Sequence, residues 1–395
     1  MTGSAADSPE PRQVVILSTA DFTSAVWTNK QHLAVGLARS RRVVYIESLG
    51  LRRPRLSPSD LRRAWARLTR SRDSPVAGRE APPDLTVVSP HVIPFHRSRL
   101  VRAINRRLLR RQVLRRVPDA GSAILWTFSP LDYGLGALFH RTVYHCVDLL
   151  HEVPRVPRQL VLSSEADLCA RADVLIASST SVCAHLARQH HRSPVLWENV
   201  AHTDTFSAPA HPPRRGNRAV FAGNLTPSKV DFALLHEIVD RGIPLELAGP
   251  SHTDGTSADR ELRALLDEPL VTHHGNLDLA ALAQLFAGCT VGLIPYELNG
   301  YTQGVFPMKV YEYLSAGLTV VSTALPALAD SQIEGVHLAT TSHFTDAVER
   351  ALAAWTEAQA AANVASAAPH SWTRRVAEAE ELLDALSSRP RERAA

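Results

Sequence analysis

Lys309 and Glu312 lie three residues apart in the run PMKVYEYLSAG that begins at Pro307. That spacing puts both on one face of a helix, while Val310 and Leu314, four apart, form another. Pro307 suits the first helical position, where a missing N–H costs nothing, and the free N–H groups after it then point at an anion in front of the helix. A phosphate fits such a place. Upstream, Gly223 in the loop GNLTPSK lets the backbone come close to a ligand, and Lys229 at its end can reach a phosphate. Asp148 stands just past a strand-like run, where open α/β sheets put their ligands. Each residue also has a plainer reading. Lys309 and Glu312 suit the solvated face of an amphipathic helix, Lys229 an exposed turn, and Asp148 a helix cap or loop-ordering carboxylate.

Such residues need a scaffold that alternates strands and helices. Short β-branched runs at 14–19, 43–47, 85–88, 123–127, 142–147 and 174–178 are separated by helical patterns, which predicts a parallel sheet covered on both faces. A basic helix is expected over 99–116, with Leu100, Ile104, Leu108 and Leu109 on its apolar side. The section from Ser48 to about Pro83 reads as a proline-punctuated excursion with one helix around Trp65. The proline-rich stretch SAPAHPPRRGNR at 207–218 is the clearest boundary. Runs at 218–222, 245–249, 271–276, 290–296 and 318–323 then repeat the alternation, and an amphipathic helix follows Trp372. The expected division is 12–206, a linker at 207–217, a second domain at 218–370 and a terminal helix at 371–387.

The segment PMKVYEYLSAGLTVVST resembles the donor-binding segment of GT-B glycosyltransferases, closest to family 4 type and teichuronic-acid-type bacterial transferases. TVYHCVDLL and EADLCARADVLIASS resemble matching places in the same group. The resemblance implies an α/β GT-B fold, two Rossmann-like domains facing each other across a cleft, with the last helix crossing back to the first domain. It implies a nucleotide diphosphate sugar, by family expectation a UDP-sugar, whose diphosphate faces Lys309 and whose ribose hydroxyls bond Glu312. Tyr296, Thr302, Gly304 and Met308 fall in the same donor segment. Gly223, Asn224 and Lys229 would face the diphosphate, and Gly275 and Asn276 the nucleobase. The acceptor would lie on the loop carrying Phe22, Thr23 and Trp27, with Asp148 as the base that deprotonates its hydroxyl. Many retaining members carry a glutamate eight residues before the second one. Here that position is Gly304, which leaves the sugar and the stereochemistry open. A silent partner protein on the same fold, or a nucleotide-sugar epimerase or hydrolase, are the alternatives.

With 395 residues, 45% hydrophobic and 21% charged, the chain has room for two real cores. The first residues lack a signal-peptide pattern and no run reaches the roughly 18 apolar residues of a membrane span, so the expected location is cytoplasmic. The formal charge of +4 hides two arginine-rich segments, at 52–72 and 97–116. They suit weak peripheral contact with an anionic membrane or a phosphorylated acceptor, and no nucleic-acid partner is expected. Cys146, Cys169, Cys183 and Cys289 show neither a C-x-x-C pair nor regular histidine spacing, so they read as buried thiols, with no disulfide framework and no metal site. No P-loop, dinucleotide fingerprint or nucleophile elbow is present. The absence of Asp-x-Asp favours metal-independent transfer, with cationic side chains and a helix dipole neutralising the leaving diphosphate, and no cofactor is expected.

Overall fold

Short apolar runs, buried at the centre of each sheet and partly exposed at its edges, build two sheets in a computed structural model that describes residues 13–24, 26–51, 82–209, 214–250 and 259–388. In the first, β1 (Val14–Leu17), β2 (Val43–Ile46), β3 (Leu85–Val88), β4 (Ile124–Thr127), β5 (Arg141–Cys146), β6 (Val174–Ala177) and β7 (Val195–Leu196) run in the order β3-β2-β1-β4-β5-β6-β7. In the second, β8 (Ala219–Ala222), β9 (Leu245–Ala248), β10 (Val271–His273), β11 (Val291–Ile294), β12 (Thr319–Thr323) and β13 (Val336–Ala339) run in the order β10-β9-β8-β11-β12-β13. Every described strand pairing is parallel. All four residues of β1 are fully buried, as a parallel strand covered on both faces requires. Both sheets are Rossmann-like, and each reverses its winding once, between β1 and β4 and between β8 and β11.

Two compact units result. The first holds the described residues up to Ala177, Cys183–Leu196 and those from Val376 on; the second holds Ser178–Val182 and Trp197–Arg375. The change at Leu196 precedes the expected linker, because 203–207 forms a short helix whose Phe206 stacks on Phe286, with centroids 5.3 Å apart, inside the second core. Residues 210–213 of that linker lie outside the described residues, as do the segment 52–81 with its arginines and Trp65, and the tail from 389. The last helix, Trp372–Ser388, passes from the second unit into the first. There Val376 fills the space beside Gly36, where an added Cβ would come within 2.2 Å of its Cγ2. Arg41 bonds Glu380, and its Nη2 lies 2.5 Å from an Asp384 oxygen.

Two expectations need correction. The helix at Arg99–Arg116 forms, but Asn105, Leu109 and Val113 are its buried residues, while Leu100 is 72% exposed. Asn105 decides the rotation: its amide bonds both Ile93 N–H and Ile93 O, at 2.8 and 2.9 Å, and the Tyr133 hydroxyl. Likewise Pro307 does not open its helix. The helix spans only Lys309–Ser315 with Met308 as its cap, so Lys309 rather than Pro307 starts the first turn. All four cysteines are free, and Cys183 is only partly buried. No described helix is long and apolar enough to cross a membrane.

Candidate functional site

In the second unit the chain leaves β8 at Gly223 and β11 at Pro295, the two strands between which the sheet order reverses. Backbone bonds join the two exits: Asp231 N–H donates to Pro295 O at 2.8 Å and Glu297 N–H to Lys229 O at 3.0 Å, with a bridge between Val230 and Tyr296. That pairing sets the Lys229 ammonium over the buried Tyr296 ring, 4.7 Å from its centroid.

Glycines bring the turns after β8 and β9 into contact. Gly223 N–H donates to Ala248 O, and Gly249, at φ +130°, donates to Gly275 O. A Cβ on Gly249 would stand 2.0 Å from Gly223 O. Position 223, at φ +152°, faces Lys309, whose ammonium also sits 5.9 Å from the Phe221 ring centroid. Beside it, Asn224 holds a buried Oδ1 that has no hydrogen-bond partner, and such atoms ordinarily find one.

The short helix is held by its tyrosines. Tyr313 accepts from Ala222 N–H at 2.9 Å, and its ring lies where a Cβ on Gly292 would collide. Tyr311 bonds Glu198 at 3.3 Å and stacks on His370, with centroids 3.9 Å apart. Lys309 and Glu312 are left half-buried, and neither takes part in an ion pair among the described residues. Burial pushes the Glu312 carboxyl up, partly offset by Lys309. Burial also acts to raise the Tyr296 phenol, yet Lys229 and then Lys309 outweigh it and the net shift is down. Two ammoniums thus act on one buried ring, the mark of a local positive potential.

Other expected residues fall at varying depths. Thr302 is fully buried and spends its hydroxyl on Glu297 O and Asn299 O, which orders the loop before the helix. Gly304 is buried and its carbonyl accepts from Ser179. Met308 is half-buried at the helix cap, Gly275 is half-buried and Asn276 is exposed.

In the first unit the loop after β1 starts at the other reversal. Phe22 is 1% exposed and supports this loop from beneath, against Tyr45 and Trp27, while Thr23 is exposed and Trp27 half-buried. Trp27 Nε1 donates to Phe22 O, and Phe22 N–H to Glu47. Asp148 follows β5, and its carboxylate lies 3.9 Å from the ammonium of Lys30, a buried lysine that the sequence did not single out.

Residues 216–354 match the family described as "Glycosyl transferases group 1", a match that falls within the second unit. TuaH of Bacillus subtilis, named for teichuronic acid biosynthesis, is 27% identical over 232 residues, covering 50% of this chain and 55% of the relative. The chain thus spans about half the length of the curated relative it matches. Sucrose-phosphate synthase from Thermosynechococcus elongatus superposes with a TM-score of 0.70 at 15% identity, over 95% of this chain and 99% of the other. HepE of Anabaena, solved in complex with UDP, gives 0.64 at 13% identity, over 95% and 100%. These likenesses fix the fold as GT-B.

Proposed function

We propose that this GT-B chain is a glycosyltransferase that moves a sugar from a nucleotide diphosphate, UDP by preference, to an acceptor hydroxyl. One observation carries the reading: at the reversal point of the second sheet the Lys309 ammonium sits against Gly223 and the Lys229 ammonium over the Tyr296 ring. Positive charge is needed where the diphosphate departs, and preorganised ammoniums supply it without reorganisation in the transition state. The short helix adds little to this, so the lysines bear the task and the transfer needs no divalent ion. Glu312 would take the ribose hydroxyls, and the unpartnered Asn224 oxygen offers an acceptor beside the diphosphate. The UDP in HepE supports the choice of nucleotide. Asp148, at the end of a strand in the other unit, is the group for the acceptor proton. The name of the bacillary relative favours a cell-envelope glycan as acceptor over a natural product, and the exposed arginines of helix Arg99–Arg116 fit weak contact with an anionic membrane from the cytoplasmic side.

Calorimetry with uridine, UDP, GDP and UDP-sugars tests the donor site. UDP should bind at least about tenfold more tightly than uridine, or roughly 1.4 kcal/mol, and Lys309→Ala should erase that difference. Equal binding of UDP by Lys309→Ala, or no nucleotide binding at all, would overturn the reading.

A further inference from the structure

Two histidines meet one carboxylate in the first unit, and a third, His151, stands beside them with its Nε2 3.4 Å from Glu152. Glu165, in the helix Arg158–Arg171, is 3% exposed, and its Oε2 lies 2.6 Å from His185 Nε2 and 3.5 Å from His190 Nε2. Both histidines come from the helix Thr180–His190. Oε1 accepts from the Tyr144 hydroxyl at 2.7 Å and from the Cys146 thiol at 3.8 Å. His151, on the turn Leu150–Glu152 after β5, stacks on His185 with centroids 4.7 Å apart, and its buried Nδ1 has no hydrogen-bond partner. One donor atom from each of His151, Glu165 and His185 lies within 4.8 Å of the other two.

We propose that His151, Glu165 and His185 hold a divalent transition-metal ion, zinc(II) by preference, with His190 or solvent as the fourth donor. Imidazole and carboxylate donors, four in all, suit zinc, whose bonds of about 2.0–2.1 Å place neighbouring donor atoms roughly 3.3 Å apart. The separations here bracket that value. The ion would replace the proton that Glu165 and His185 share, and a small swing of His151 would bring in the third donor. Tyr144 and Cys146 hold the far carboxylate oxygen, which turns Oε2 toward the histidines, as outer partners of metal-bound carboxylates do. Such an ion would pin the turn after β5 to two helices, apart from the donor chemistry.

The test uses untagged full chain, stripped with a chelator and titrated with Co(II). The expected result is one ion per chain, visible d–d bands of four-coordinate intensity, displacement by Zn(II), and affinity lowered in both His151→Gln and His185→Gln by more than the roughly 10–100-fold that loss of an outer partner costs. If His185→Gln fails to fold, the titration of His151→Gln decides whether the ion sits here. No visible bands and no ion retained through gel filtration would overturn the proposal and leave a hydrogen-bonded network. Unchanged affinity in both variants would also overturn it, by placing the ion elsewhere.

Discussion

The side chain of Lys309 occupies the space that a side chain at position 223 would fill: a Cβ on Gly223 would stand 2.6 Å from Lys309 Cε and 2.7 Å from its Nζ. Gly223→Ala must therefore move the ammonium or the loop, and its φ of +152° disfavours any L side chain. UDP affinity should fall about tenfold or more, with stability lowered by roughly 1–3 kcal/mol. Calorimetry and urea unfolding would separate the two effects.

Lys229 and Lys309 act on the same buried phenol, so their contributions to nucleotide binding should couple. Lys229→Ala is expected to weaken UDP about tenfold while leaving uridine unchanged. A double-mutant cycle with Lys309→Ala should give an interaction energy of roughly 0.5–3 kcal/mol. Strict additivity would show that the two ammoniums serve separate groups.

Glu312 gives a prediction in pH. Its folded pKa lies above the ordinary 4.5 because burial disfavours the charged form. A raised folded pKa stabilises fully below the unfolded value, and that contribution is lost as pH rises through the folded value. Glutamine suffers no such loss. Without ligand, Glu312→Gln should melt above wild type at neutral pH, by about 2–4 °C per kcal/mol of relieved burial cost, and the gap should close toward acid pH. The same variant should bind UDP more weakly.

Asp148→Asn should cut transfer by about 10²-fold or more while leaving UDP affinity unchanged. Initial rates with a radiolabelled UDP-sugar, without added magnesium or manganese, would measure this. Full activity in the variant would remove Asp148 as the base.

Asn105→Ala leaves the N–H and O of the half-buried Ile93 without these partners. A loss of roughly 1–3 kcal/mol is expected by thermal unfolding, with nucleotide affinity untouched.

The sheets were legible because parallel strands buried on both faces leave unmistakable β-branched runs, and the pairing of Lys309 with Glu312 on the helix Lys309–Ser315 because the two are close in sequence. What stayed hidden depends on contacts between distant residues. Helix Arg99–Arg116 offers two apolar stripes of similar strength, and the choice falls to Asn105 through backbone groups at position 93, which no periodicity reveals. His151, Glu165 and His185 come from three elements, so no spacing rule connects them. Lys30 reads as an ordinary lysine of a first helical turn, and only the fold sets it beside Asp148. A tyrosine on each side of Glu312 was the available signal that this helix is locked in rotation.

Arg41 and Glu380 are 339 positions apart, yet they bond within one unit. On the ribosome the first sheet therefore emerges early and waits for its last helix. The second unit draws nearly all its residues from 197–375 and can complete its core in the interval. Domains ordinarily fold in the order of synthesis; here the later one is free to finish first. The exposed flank of the earlier sheet, around Gly36 and Arg41, is then the stretch of nascent chain most in need of a chaperone.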